Sequence, residues 1–244
     1  MSNLKNLITG NLGAVVIAGA AGKAAEDIVA SDVLLVTLLV DASSSIHARG
    51  LEDAVREGAN MLVDSLAATR ERDSVLMALW TFNDDTRVVH SYVGLDDVTR
   101  LDKTNYSGVG CTRLFDTWCD ALTANVVYAQ RLRDSGTPCK SIVVVVTDGE
   151  DVGSKRRAAD CNRLSAQLLA SEQFTLAFAQ PWWHHHLYLS VEVARRAGTV
   201  GHPLSSQTQP AACRRAGRDA NGASSARGLD RDARAQDGLP WCQR

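Results

Sequence analysis

Three short, widely separated segments of this 244-residue chain carry small oxygen-bearing side chains suited to holding one hard cation. The first is Asp41-Ala42-Ser43-Ser44-Ser45, directly after the apolar run 33–40. The second is Gly110-Cys111-Thr112-Arg113-Leu114. The third is Thr147-Asp148-Gly149-Glu150, directly after the run 141–146. Mg2+ prefers oxygen ligands in near-octahedral geometry at about 2.0–2.1 Å and usually keeps several waters. Hydroxyls of Ser43, Ser45 and Thr112, backed by the carboxylates of Asp41 and Asp148, suit Mg2+ or Mn2+. Each segment taken alone also has a plainer reading. Asp and Ser are favoured helix caps, and Asp-Gly is a common turn dipeptide. The argument for a metal site rests on the three together.

The elements that must bring them together are legible in outline. VLLVTLLV (33–40) and SIVVVV (141–146) are continuous apolar runs rich in β-branched residues, the pattern of strands buried on both faces of a parallel sheet. Ligands of open α/β sheets bind at the carboxyl ends of the strands, where Asp41 and Asp148 sit. Alternate spacing lets the Ser43 and Ser45 hydroxyls point inward while Ser44 points away. Residues 47–73 read as one amphipathic helix, with Leu51, Val55, Ala59, Leu62 and Leu66 spaced by three and four. Strands are expected over 73–82 and 86–93, joined at Asn83-Asp84-Asp85 into an antiparallel edge hairpin. A surface connection (94–110), a helix near 113–133 ended by Gly136-Thr137-Pro138, a central strand 141–147, a helix 154–171 and a strand 173–179 follow. The expected class is α/β: a doubly wound, mostly parallel sheet with one antiparallel edge hairpin.

In these segments the chain resembles the von Willebrand factor A domain family over residues 32–198. Asp41, Ser43 and Ser45 match its D-x-S-x-S element, Thr112 its later threonine in the setting GCTRLFD, and Asp148 the aspartate of its T-D-G element. The resemblance implies a Rossmann-like fold and a metal-ion-dependent adhesion site. In such a site the two serines and the threonine approach the cation, the aspartates act partly through water, and an acidic group of a partner completes the shell. Ser44 and Ile46 replace a commoner Gly and Met, neither of them a ligand. The expected relatives are intracellular domains of bacterial type, which often serve assemblies with other proteins.

Composition bounds the rest. A net charge of −2 and 5% aromatic residues exclude a global field or a stacking stripe for nucleic acid. The six cysteines include no C-x-x-C pair, so the expectation is reduced thiols in a cytoplasmic protein, with Cys111 packed and inert. The apolar stretch 7–22 is interrupted by Asn11 and glycines and is too short to span a membrane. Residues 1–31 are therefore taken as an N-terminal arm, with a secretory signal as the second reading. A family domain over 32–199 follows, with 187–198 resembling the family's next helix. Residues 200–244 are rich in Ala, Arg, Gly and Ser and poor in large apolar side chains, which suits a disordered or atypical tail. Without the family's last strand, the sheet is expected to be incomplete at its C-terminal edge. Trp182-Trp183-His184-His185-His186 is expected to be a loop, because adjacent histidines seldom converge on one metal.

Three functions compete. The first is Mg2+-dependent binding of a protein partner that offers Asp or Glu, with no enzymatic activity. The second is a structural adaptor whose metal only stabilises the loops. The third is a metal-dependent hydrolase or phosphotransferase. Phosphatases that form an aspartyl-phosphate need a second carboxylate two residues on, where Ser43 stands. His47 is the nearest candidate base, and no G-x-S-x-G element is present.

Overall fold

A computed structural model of the chain describes residues 13–149, 151–182 and 186–190. Among these residues, six strands form one sheet: β1 (Val33–Asp41), β2 (Val75–Phe82), β3 (Thr86–Gly94), β4 (Cys139–Val146), β5 (Phe174–Trp182) and β6 (His186–Ser190). Their order across the sheet is β3-β2-β1-β4-β5-β6. The central strands β2, β1, β4 and β5 run parallel, and β3 and β6 pair antiparallel at the two edges. The helices are α1 (Ala14–Gly19), α2 (Ser44–Ala48), α3 (Glu52–Ala67), α4 (Leu114–Asp134) and α5 (Ala158–Leu169).

The continuous apolar runs are buried on both faces, as expected. In β1, Val36, Leu38 and Val40 face a core shared with Ile46 of α2 and with Val55, Ala59 and Val63 of α3. Val33, Leu35 and Leu39 face the opposite core, built with Trp118, Leu122 and Leu132 of α4 and Leu164 and Leu168 of α5. The one polar residue inside the β1 run, Thr37, is fully buried and belongs to a hydrogen-bonded chain. Ser141 Oγ donates to Asn125 Oδ1 at 2.6 Å, Asn125 Nδ2 donates to Thr37 Oγ1 at 3.1 Å, and Thr37 Oγ1 lies 2.7 Å from the Tyr92 hydroxyl. The chain ties β4, α4, β1 and β3 together while leaving these buried polar groups paired.

Three local expectations need correction. The single helix over 47–73 is two helices. Gly50 takes φ +65°, and the Leu51 and Gly50 amides bond back to Ile46 O at 3.0 Å and His47 O at 2.9 Å. That is a Schellman ending, in which buried Ile46 and Leu51 supply the accompanying apolar contact. The second correction concerns 187–198, read as a helix. Residues His186–Ser190 pair with β5 instead, so the edge carries a second antiparallel strand. Pairing gives the free backbone groups of the β5 edge their partners, a demand stronger than a short segment's helical preference. The remainder, 191–198, lies outside the described residues, as do the tail 200–244 and residues 183–185 of the Trp-His segment. The third correction concerns Cys111, which is disulfide-bonded rather than a packed thiol.

Within the N-terminal arm, residues from 13 onward pack on the domain. Val16 and Ala20 are buried, Ser91 Oγ donates to Gly19 O at 2.6 Å, and Lys23 N donates to Tyr92 O at 2.9 Å. Among the described residues no helix is long and apolar enough to cross a membrane.

Candidate metal centre

The parallel register of β1 against β4 pairs Val40 with Val146, so Asp41 and Thr147 leave the sheet side by side. Asp41 is completely buried, and both its carboxylate oxygens are occupied. Oδ1 accepts from Ser43 N at 2.8 Å, and Oδ2 accepts from Thr147 Oγ1 at 2.6 Å. The Tyr106 hydroxyl donates to the Asp41 backbone carbonyl. Burial pushes the Asp41 carboxyl up to about 7, and the neighbouring Asp148 charge acts in the same direction, against the bonds from Ser43 and Thr147. As expected from their alternate spacing, Ser43 Oγ and Ser45 Oγ turn to the same side, 3.0 Å apart.

Asp148 is the odd group. Its side chain is 2% exposed, yet neither carboxylate oxygen has a hydrogen-bond partner among the described residues. Arg49 Nη1 lies 3.4 Å from Oδ2, close enough to count as an ion pair but not aligned as a hydrogen bond. A buried carboxylate without donors is costly.

Thr112 is buried and sits on a loop whose backbone is fastened to both other segments. Ser44 N donates to Gly110 O at 3.0 Å, and Val109 N donates to Ala42 O at 2.8 Å, joining the second segment to the first. Thr112 and Val152 exchange bonds at 3.2 and 2.7 Å, joining the second to the third. The Thr147–Asp41 bond closes the triangle. The structure therefore brings Asp41, Ser43, Ser45, Thr112 and Asp148 to one end of the sheet on three mutually bonded loops.

Further residues with a part in this arrangement went unassigned in the sequence. Thr147 stands beside Asp148 in the quoted motif, but its bond to Asp41 depends on strand register. Arg49 follows α2 and carries no motif signal. Asp116, two residues into α4, accepts from Lys155 N and Arg156 N at 3.0 Å each and from Arg113 at 2.8 Å, which fixes the loop before α5. Burial raises the Asp116 carboxyl, but these donors outweigh it and hold it below the ordinary range. Tyr106 is buried with its hydroxyl on the Asp41 carbonyl, so it supports the loop from below rather than lining a surface.

Among the described residues, no three His, Cys, Asp or Glu side chains converge as a metal cluster. A cation at this end of the sheet thus depends on hydroxyl oxygens beside its two carboxylates. The residues fit a hard ion: oxygen donors throughout, with one buried carboxylate short of partners.

The sequence profile of the von Willebrand factor type A domain matches residues 36–188, well over half of the chain. No curated protein matches it significantly. Among solved structures, the chain is similar to proximal thread matrix protein 1 from the mussel byssus, at 22% identity and a TM-score of 0.43, covering 61% of this chain and 36% of that one. Another structure of that protein, described as having a zinc-occupied MIDAS motif, aligns at 21% identity and a TM-score of 0.42, covering 61% and 36%. A von Willebrand factor type A protein from Catenulispora acidiphila aligns at 16% identity and a TM-score of 0.41, covering 61% and 33%. The chain spans about a third of the length of the solved proteins it resembles.

Proposed function

Because the chain belongs to the von Willebrand factor type A domain family, we propose that this end of the sheet is a metal-ion-dependent adhesion site that binds a protein partner through Mg2+ or Mn2+. The observation that carries this reading is Asp148, a buried carboxylate with two unbonded oxygens at the same end of the sheet as the loops that hold Ser43, Ser45 and Thr112. Those three hydroxyls and Asp148 would hold the ion, with Asp41 in support. Held largely by neutral oxygens, such an ion keeps net positive character and attracts an Asp or Glu of the partner.

Two features weigh against the alternatives. Backbone bonds already join the three loops, so a cation is not needed merely to fasten them. His47, the nearest candidate base, is 69% exposed and pairs with Glu52 at 3.2 Å, turned to solvent rather than toward Asp41. The site is read as a binding centre without catalysis.

The test is capture of partners from the native host by the full chain, in Mg2+ against EDTA, and by wild type against Ser43→Ala. Retention that requires both Mg2+ and Ser43 supports the proposal. Full retention in EDTA and by the variant would falsify it.

A further inference from the structure

Away from the sheet end, a cleft of about 530 Å³ opens between α4 and α5, lined by Cys119, Thr123, Arg156, Asp160, Arg163 and Leu164 among others. Cys119 borders this cleft, and its Sγ lies 3.2 Å from Sγ of Cys161, which is completely buried behind it. Both are free thiols. This separation is shorter than the roughly 3.5–4.0 Å of ordinary packed carbon contacts, although sulfur is the larger atom. About 1.2 Å of further approach would bring the pair to the 2.03–2.05 Å of a disulfide. Cys161 Sγ also faces Phe115 O at 3.4 Å, so it is held beside Cys119 rather than free to turn away. The contact with Cys119 and burial hold the Cys161 thiol well above its ordinary range, and Arg156, on the cleft wall, acts in the opposite direction.

We propose that Cys119 and Cys161 form a reactive dithiol that closes to a disulfide by exchange with a low-molecular-weight disulfide entering this cleft. The Cys119 thiolate attacks one sulfur of the entering RSSR, forming Cys119–S–SR and releasing RS−. Cys161 then gives up its proton, and its thiolate attacks Cys119 Sγ, forming the Cys119–Cys161 bond and releasing a second RS−. The two protein thiols are oxidised, RSSR is reduced to two RSH, and the two thiol protons end on the leaving thiolates. Order of attack follows access: Cys119 lines the cleft, whereas Cys161 is completely buried and does not. The bond ties α4, which follows the Thr112 loop, to α5, which follows the Asp148 loop. Nothing in this inference depends on a metal.

The experiment exposes the reduced, natively folded full chain to oxidised glutathione, traps remaining thiols by alkylation and maps the peptides by mass. Wild type is expected to give a Cys119–Cys161 cross-linked peptide with no lasting glutathione adduct on either residue. Cys161→Ser is expected to trap one glutathione on Cys119, and Cys119→Ser to leave Cys161 unmodified. Cys139 is the internal control, as buried as Cys119 (7% against 5% exposed) but not among the residues lining the cleft, with its Sγ on Ala129 O. Cys139 is expected to react at least about tenfold more slowly, because reaching it takes a local opening that the cleft spares Cys119. Absence of the cross-link in wild type overturns the proposal whether or not either variant folds. Equal rates at Cys139 and Cys119 also overturn it, since oxidation would then follow unfolding rather than entry into the cleft.

Discussion

Asp41 should make the metal-free domain lose stability as pH rises, and the loss can be sized from its surroundings. Its carboxyl is pushed up to about 7 in the folded chain, chiefly by burial, against an ordinary value of 3.8. Below pH 4 the group is protonated in both states and contributes nothing. Between about 4 and 7 the unfolded chain releases the proton while the folded chain keeps it, so stability falls as pH rises. Three pH units at about 1.4 kcal/mol each correspond to roughly 4 kcal/mol, a large part of the 5–15 kcal/mol typical of a domain. Asp41→Asn removes the titration while keeping the shape. The Asn oxygen can still accept from Ser43 N, and its amide can donate to Thr147 Oγ1. Urea unfolding in EDTA at pH 5 and pH 8 should therefore show wild type losing several kcal/mol relative to Asp41→Asn. The variant should be the more stable protein at pH 8. Adding Mg2+ at a hundred times its Kd should return about 2.7 kcal/mol to wild type at pH 8. Equal pH dependence in wild type and variant would refute the assignment of a buried, charge-strained carboxylate at position 41.

Asp148→Asn should weaken Mg2+ binding by calorimetry more than Asp41→Asn does, because both Asp148 oxygens are unbonded whereas both Asp41 oxygens are taken. Thr112→Ala should cost about tenfold in affinity, near 1.4 kcal/mol. Gly19→Ala should destabilise by about 1–3 kcal/mol in thermal melts, since the added Cβ would lie 2.0 Å from the Trp80 ring. Gly13→Ala, which meets nothing within 4 Å, is the neutral control. Thr37→Val should cost about 1–3 kcal/mol in urea unfolding by leaving Asn125 and Tyr92 without their shared partner. Little change would mean that the buried polar chain reorganises around the loss.

The sheet and the strand-end carboxylates were legible because continuous β-branched runs have few other uses, and an Asp directly after such a run must emerge at its carboxyl end. The edge hairpin was legible from Asn83-Asp84-Asp85 between two apolar strands. The fastening of the three loops was not, because Val109 N to Ala42 O and the Thr112–Val152 pair are backbone bonds that any residue types could make. The break between α2 and α3 was signalled by Gly50 ahead of an apolar Leu51, but the spacing of apolar residues runs through the gap and conceals it. Thr37 was passed over because one hydroxyl inside an apolar run looks like tolerance, and its partners lie 55 and 88 residues away in Tyr92 and Asn125. The edge strand β6 was misread because Leu187-Tyr188-Leu189 suits either a strand or a helix turn, and the unpaired edge of β5 decides between them.

The two aspartates of the centre divide their work. Asp41 spends both oxygens on Ser43 and Thr147 and its carbonyl on Tyr106, so it organises the loops from within. Asp148 spends neither oxygen and faces only a half-exposed arginine. An exposed cation of this kind is a weak counter-charge, which a divalent ion can replace without breaking any bond that joins the loops. The bound and free forms can therefore share one backbone arrangement. On the proposed reading, a cation would change the charge at the sheet end rather than the fold, which is the property a recognition site needs from its metal.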